Sequence, residues 1–181
     1  MQKLLDWTLG AIREESDFSW MEECRYYWTP LVKSAVAKIL SGQSVLILTD
    51  EANQWFCDYG MRKINLPSNN RPFFPFYPLK RLFPNIDILS STQDIELLED
   101  MFDISFPNGY FIWYVGRGDY PLTKLVFRND ENFMWIMDEE IQNSFHLRSQ
   151  DPMLDVKLLQ LFKLFNHTID AALFDGLEIE G

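Results

Sequence analysis

Near residue 43 the hydrophobic period of the chain changes, and that change limits the folds open to it. Residues 44–49, Ser-Val-Leu-Ile-Leu-Thr, are a short apolar run rich in branched side chains. Too short for a stable helix and lacking a polar face, such a run reads as a strand covered on both sides. Comparable runs recur at residues 86–89, 110–115 and 133–137, with a weaker one at 145–147, and helical patterns stand between several of them. Doubly covered strands alternating with helices need crossover connections. The pattern therefore predicts βαβ units, a mostly parallel sheet and a three-layer α/β sandwich.

Helical segments flank this block. Residues 3–14 place Leu4, Leu5, Leu9 and Ile12 at helical spacing, and a second helix is predicted to open at Ser19-Trp20-Met21-Glu22, which has the spacing of a capping box. Cys24, Trp28, Leu31, Val32, Ala35, Val36 and Ile39 fall on one stripe of it, with Pro30 placed to kink it and Gly42 to stop it. Further on, Ile95, Leu97, Leu98, Met101 and Phe102 mark a helix capped from Ser91 or Thr92. Residues 67–84 hold five of the nine prolines together with Phe73, Phe74, Phe76 and Tyr77, which predicts a long loop or edge excursion packed by its own aromatics. Asp151-Pro152 reads as an N-cap followed by Pro at the first helical position, opening a helix to about Phe174, with Gly176 as its stop and residues 177–181 as a frayed tail. A chain of 181 residues without internal repeats fits one domain, with helices over 1–42, the sheet and its helices over 43–150 and a last helix over 151–176.

Composition narrows the function classes. At 47% hydrophobic and 24% charged residues the chain is an ordinary globular one, and its net charge of −11 repels phosphate backbones and anionic lipid headgroups. Direct nucleic-acid binding and membrane association are thus not expected. No apolar run approaches the roughly 20 residues of a bilayer-spanning helix, and the first residues lack a signal-peptide cleavage pattern, so the expected location is cytoplasmic. Cys24 and Cys57 stand outside any CxxC or Cys/His cluster, which argues against a disulfide scaffold and a structural zinc site. Six Trp, seven Tyr and fifteen Phe leave two readings open, an aromatic-rich core or apolar surface destined for self-association or a partner.

In an open parallel sheet, ligands sit at the carboxyl ends of the strands. After the first strand stands Thr49-Asp50-Glu51, where a phosphate cradle needs glycines and hydroxyls. The acidic pair fits either a metal ion, as in receiver domains, or a helix cap that opposes the helix dipole. Gly116-Arg117-Gly118-Asp119 lacks the third glycine of a dinucleotide fingerprint and reads as a tight turn. Ser90-Ser91-Thr92 has hydroxyls suited to a phosphate and equally suited to a plain helix cap. His146 and His167 belong to different elements, no serine stands in GxSxG, and both cysteines lie in helical patterns. No convergent catalytic set emerges, and neither cofactor nor metal is expected.

The last helix is the most informative segment. Leu154, Leu158, Leu161, Phe162, Phe165, Ile169 and Ala172 form a broad apolar face, and Gln160, Lys163, His167 and Asp170 fall opposite. Phe174 continues the polar side one turn beyond Asp170, while Leu173 sits at the edge of the apolar face. Phe174 reads either as an exposed aromatic anchor for a partner or as a ring packed on the tail.

Trp7, the stretch Asp17-Phe18-Ser19-Trp20-Met21-Glu22-Glu23-Cys24-Arg25-Tyr26-Tyr27-Trp28-Thr29-Pro30-Leu31, the strand ending at Asp50, and Arg71-Pro72-Phe73-Phe74-Pro75 together resemble the HobA family, small regulators of chromosome replication that bind the initiator DnaA. The likeness extends over essentially the whole chain. It implies a flavodoxin-like parallel sheet similar to that of DiaA and the sugar isomerase (SIS) family, assembled as a homotetramer. It also implies a non-enzymatic role, holding several DnaA molecules through their amino-terminal domains and promoting their assembly at the replication origin. In DiaA a Leu-Phe pair near the carboxyl terminus contributes to DnaA binding, and Leu173-Phe174 resembles that pair; with Asp170 these are the expected partner-binding residues. The alternative is a phosphosugar-binding SIS-type isomerase or sensor using Ser90, Ser91 and Thr92. Thr49-Asp50-Glu51 and Gly116-Arg117-Gly118-Asp119 depart from the Ser/Thr-rich loops of such proteins.

Overall fold

The structure is a computed structural model that describes residues 3–179. Helices α1 (Leu4–Glu14) and α2 (Met21–Leu40) precede β1 (Ser44–Thr49), and a single 3-10 turn (Glu51–Asn53) leads into α3 (Gln54–Ile64). The chain continues through β2 (Phe76–Pro78), α4 (Leu79–Leu82), α5 (Thr92–Ser105), β3 (Tyr110–Arg117), α6 (Thr123–Val126), β4 (Phe133–Met137), β5 (Ser144–Leu147) and α7 (Leu154–Phe174). The strands form one sheet in the order β2-β1-β3-β4-β5, and every neighbouring pair is parallel. The predicted α/β architecture with helices on both faces is the observed one.

Strand alternation divides the core. Val45, Ile47, Phe111, Trp113, Val115, Phe133 and Trp135 pack with α1, α2, α3 and α7, whereas Leu46, Leu48, Ile112, Tyr114, Met134 and Ile136 pack with α4, α5 and α6. This is why the central strands carry no polar face. Most of the aromatic surplus is spent here. Trp28 of α2 lies 5.4 Å from Trp135 and 5.3 Å from Phe145, and Trp113 lies 5.2 Å from Trp135 and 5.1 Å from Phe165 of α7. Each such ring pair adds about 0.5–1.5 kcal/mol beyond its area burial. At the end of α2, Gly42 takes φ +88°, Gln43 N–H donates to the Lys38 carbonyl and Gly42 N–H to that of Ile39, a Schellman closure that only a residue free of Cβ adopts without strain.

Several boundaries differ from expectation. Residues 86–89 are not a strand, because Ile86–Ile88 is a 3-10 turn with Ile86 buried and Ile88 exposed. The edge place falls to Phe76–Pro78 inside the proline-rich segment. There Val45 N–H donates to the Pro75 carbonyl, and an edge strand tolerates proline because one side of it has no ladder to complete. The capping box at Ser19 does not form: α2 starts at Met21, backbone carbonyls of Phe18 and Ser19 take the first N–H groups, and Arg13 engages the Glu22 carboxylate at 3.0 Å. Asp151 is not the N-cap of α7 but stands a residue pair earlier, accepting Met153 N–H at 2.8 Å and pairing with Lys157. The tail is not frayed as far as Ile179. Leu177 and Ile179 are buried and Lys3 bridges to Glu178, while residues 180–181 lie outside the described residues.

Candidate functional site

The strand order reverses between β1 and β3, and the crevice at their carboxyl ends is where such a sheet takes a ligand. Asp50 fills that place. It is buried, one carboxylate oxygen accepts the N–H of Asn53 at 3.0 Å and its side-chain amide at 2.6 Å, and the other accepts Arg117 N–H at 2.8 Å. Backbone N–H groups that an anion uses elsewhere are here satisfied by the chain's own carboxylate, whose charge repels a phosphate. The expected turn forms at Gly118-Asp119, whereas Gly116 belongs to β3 and to this packing, because a Cβ there meets the Tyr114 hydroxyl at 2.7 Å and the Asp50 carboxyl carbon at 2.8 Å. The Tyr114 hydroxyl donates to the Arg117 carbonyl at 2.7 Å, and burial, with Asp50 close by, pushes its phenol far above the usual range. Arg117 pairs with Asp119 at 2.8 Å and its hydrogen bonds hold that carboxyl below the ordinary value. Glu51 is exposed, and among the described residues no group of three or more His, Cys, Asp or Glu is placed to hold a metal ion.

The hydroxyl cluster is a helix cap. Ser91 accepts Asp94 N–H at 3.1 Å while the Asp94 carboxylate accepts Ser91 N–H at 3.1 Å, a complete capping box that keeps the Asp94 carboxyl below its ordinary value. His146 lies in β5, and His167, in α7, packs edge-on against Trp7 at 5.1 Å. Burial pushes the Cys57 thiol up to about 11 and raises Cys24 as well, so neither is a thiolate nucleophile at neutral pH.

At the end of α7 the expected partner residues separate into different roles. Phe174 is 59% exposed even with Leu177 and Ile179 in place. Leu173 is half-buried against the core. Asp170 is engaged: its carboxylate accepts the Arg71 guanidinium at 2.7 Å. Arg71 is buried, donates also to the carbonyl of Ile64 at 2.7 Å and to both oxygens of Asn166, and lies over the Phe74 ring. Asp170 thus fastens the proline-rich loop to α7. Two further polar residues of α7 are tied down, Lys163 to Glu15 and Gln160 to the Trp20 indole N–H, along a groove of about 220 Å³ between α1 and α7. Arg71 escaped sequence reasoning as a positioning residue. Its signal is the only cation between α3 and β2, set among prolines and aromatics, since such a group needs buried acceptors.

Strand order 2-1-3-4-5 with helices on both faces defines the class: a doubly wound parallel α/β fold of the flavodoxin type, its ligand crevice closed by an internal carboxylate. A model of the HobA family, described as a DNA replication regulator, matches residues 1–179, and the chain belongs to that family. It is 26% identical over 188 residues to the DNA replication regulator protein HobA of Helicobacter pylori, with 99% of this chain and 100% of that protein covered. Two crystal structures share the fold at a TM-score of 0.76. One is a HobA-DnaA (domain I-II) complex from Helicobacter pylori, 24% identical, and the other is HobA from the same organism, 23% identical; each likeness covers 98% of this chain and 99% of the other.

Proposed function

We propose that this chain binds the amino-terminal part of the initiator DnaA and acts in the cytoplasm as a non-enzymatic homotetrameric scaffold that promotes DnaA assembly at the replication origin. The observation that carries this reading is membership of the HobA family over residues 1–179. A likeness of fold to the HobA chain crystallised with DnaA domains I-II supports it. Such a scaffold needs no cofactor. Holding several partners on one assembly raises their effective concentration, so weak mutual contacts form readily. The net charge of −11 favours encounter with a basic partner patch and disfavours direct contact with DNA. Phe174 supplies the exposed ring of the contact, Leu173 backs it from the core edge, and Asp170 fixes the approach of the proline-rich loop through Arg71.

Isothermal titration with DnaA domains I-II from the same organism tests this. Wild-type protein binds, and Leu173→Ala with Phe174→Ala weakens binding by roughly tenfold or more at unchanged oligomeric mass, with Phe174→Ala alone accounting for most of the loss. Unchanged affinity removes these residues from the contact. Wild-type protein that does not bind removes the function.

A further inference from the structure

The turn that joins α5 to β3 runs Phe106-Pro107-Asn108-Gly109, and the Gly109 N–H closes it by donating to the Phe106 carbonyl at 2.8 Å. Gly109 takes φ +88°, and a Cβ there would stand 3.3 Å from the Gln43 side chain, so turn and packing both call for glycine. That requirement places after Asn108 the one residue type with no side chain to shield its backbone nitrogen. Asn108 itself is exposed, and among the described residues its amide makes no hydrogen bond. Other asparagines are restrained. The side chains of Asn53, Asn65, Asn132 and Asn166 hydrogen bond within the fold, and no other asparagine of the chain precedes a glycine.

A free side-chain amide beside an unshielded peptide nitrogen is the setting for succinimide chemistry. We propose that Asn108-Gly109 is a site of spontaneous deamidation and isomerisation, a slow change of the protein that needs no partner. The Gly109 nitrogen attacks the Asn108 side-chain amide carbon. The new carbon–nitrogen bond closes a five-membered imide, and the side-chain nitrogen leaves as ammonia with the proton that Gly109 gives up. Water then opens the ring. Addition at the side-chain carbonyl gives aspartate, and addition at the Asn108 main-chain carbonyl gives isoaspartate, whose backbone runs through the former side chain and is one methylene longer. Either product adds a negative charge to a chain already at −11. Isoaspartate does more, because the adjoining Gly109 carbonyl accepts Ser44 N–H at 3.0 Å, where the ladder between β1 and β3 begins. The extra methylene displaces the first rung of that strand pair. Only the Gly109 hydrogen bond has to open for the attack, and a surface turn opens at small cost.

Incubation of the full chain in warm, mildly alkaline buffer tests this, beside the same chain unfolded in guanidinium, with peptide mapping by mass spectrometry and methyltransferase labelling of isoaspartate. The folded chain is expected to convert Asn108 before any other asparagine, within about tenfold of the unfolded rate, and to yield both aspartyl and isoaspartyl forms. The Asn108→Gln variant, in which attack requires a six-membered ring, is expected to stay unmodified at that position. The acidic fraction isolated by anion exchange, containing isoaspartate, melts below wild type, whereas Asn108→Asp melts close to it. A folded chain that keeps Asn108 intact while the unfolded one converts overturns the proposal, since the turn then shields the Gly109 nitrogen. First conversion at another asparagine overturns it as well. An isoaspartyl form that melts as wild type overturns the effect on the strand pair.

Discussion

Asp50 supplies the acceptor for three donors where β1 and β3 part, and its replacement by Asn keeps the shape while turning one acceptor into a donor that faces an N–H group. Asp50→Asn is expected to cost about 1.5–3 kcal/mol, the range for hydrogen bonds to charged groups, as read by denaturant unfolding. Gly116→Ala acts through the same packing. Its Cβ falls under 3 Å from Tyr114 and Asp50, and overpacking of this kind costs about 1–3 kcal/mol. A wild-type unfolding midpoint in either variant contradicts the closed crevice. Millimolar sugar phosphates should leave the melting temperature unmoved, since no ligand stabilises a native state it does not bind; a rise restores the phosphosugar alternative. In sequence, Asp50 offered both a metal and a cap, because an acidic residue after a strand looks alike in either role. The cap is what forms, with Asn53 N–H donating to Asp50, and what local sequence could not show is the second donor, the Arg117 N–H, 67 positions away in the chain.

Elements whose burial is uniform were the legible ones. β1, β3 and β4 are covered on both faces and appear as unbroken apolar runs, whereas the edge strand β2 has a single neighbour and three residues, too few for any period. The start of α2 misled for a related reason: the Ser19 to Glu22 spacing was right, but Arg13 of α1 draws the Glu22 side chain away. Tertiary partners of this kind leave no local trace. The same holds for α7, where Asp170 looked like free surface and is the acceptor of a buried arginine. Asp170→Ala is expected to destabilise the chain by about 1.5–3 kcal/mol, because Arg71 keeps its neutral acceptors and loses the charged one; an unchanged melting temperature contradicts the fastening role. Hydrogen bonds at loop and helix starts also set the acid response. Ser91 lowers the Asp94 carboxyl, Ser149 that of Asp138, and Lys157 that of Asp151. A carboxyl depressed in the folded state contributes its full stability above the unfolded value and loses it as pH falls through the folded one. Melting temperature should therefore hold at neutral pH and decline below about pH 4, with a shallower decline in Asp138→Asn.

For the whole molecule, the charge of −11 and the exposed Phe174 shape how it meets partners. Affinity for a basic partner should fall as salt rises, mainly through a slower on-rate. The composition pointed both to an aromatic core and to interaction surface, and the fold divides the rings between them: Trp28, Trp113 and Trp135 are wholly buried, while Phe73 and Phe174 are exposed. The proposed scaffold depends on several partners sharing one assembly. Size-exclusion chromatography with light scattering, on this protein mixed with DnaA domains I-II, tests that claim most directly. The scaffold predicts one co-eluting species with the mass of a homotetramer carrying several DnaA fragments. Separate elution of the two proteins, or a complex of one chain with one fragment, contradicts it.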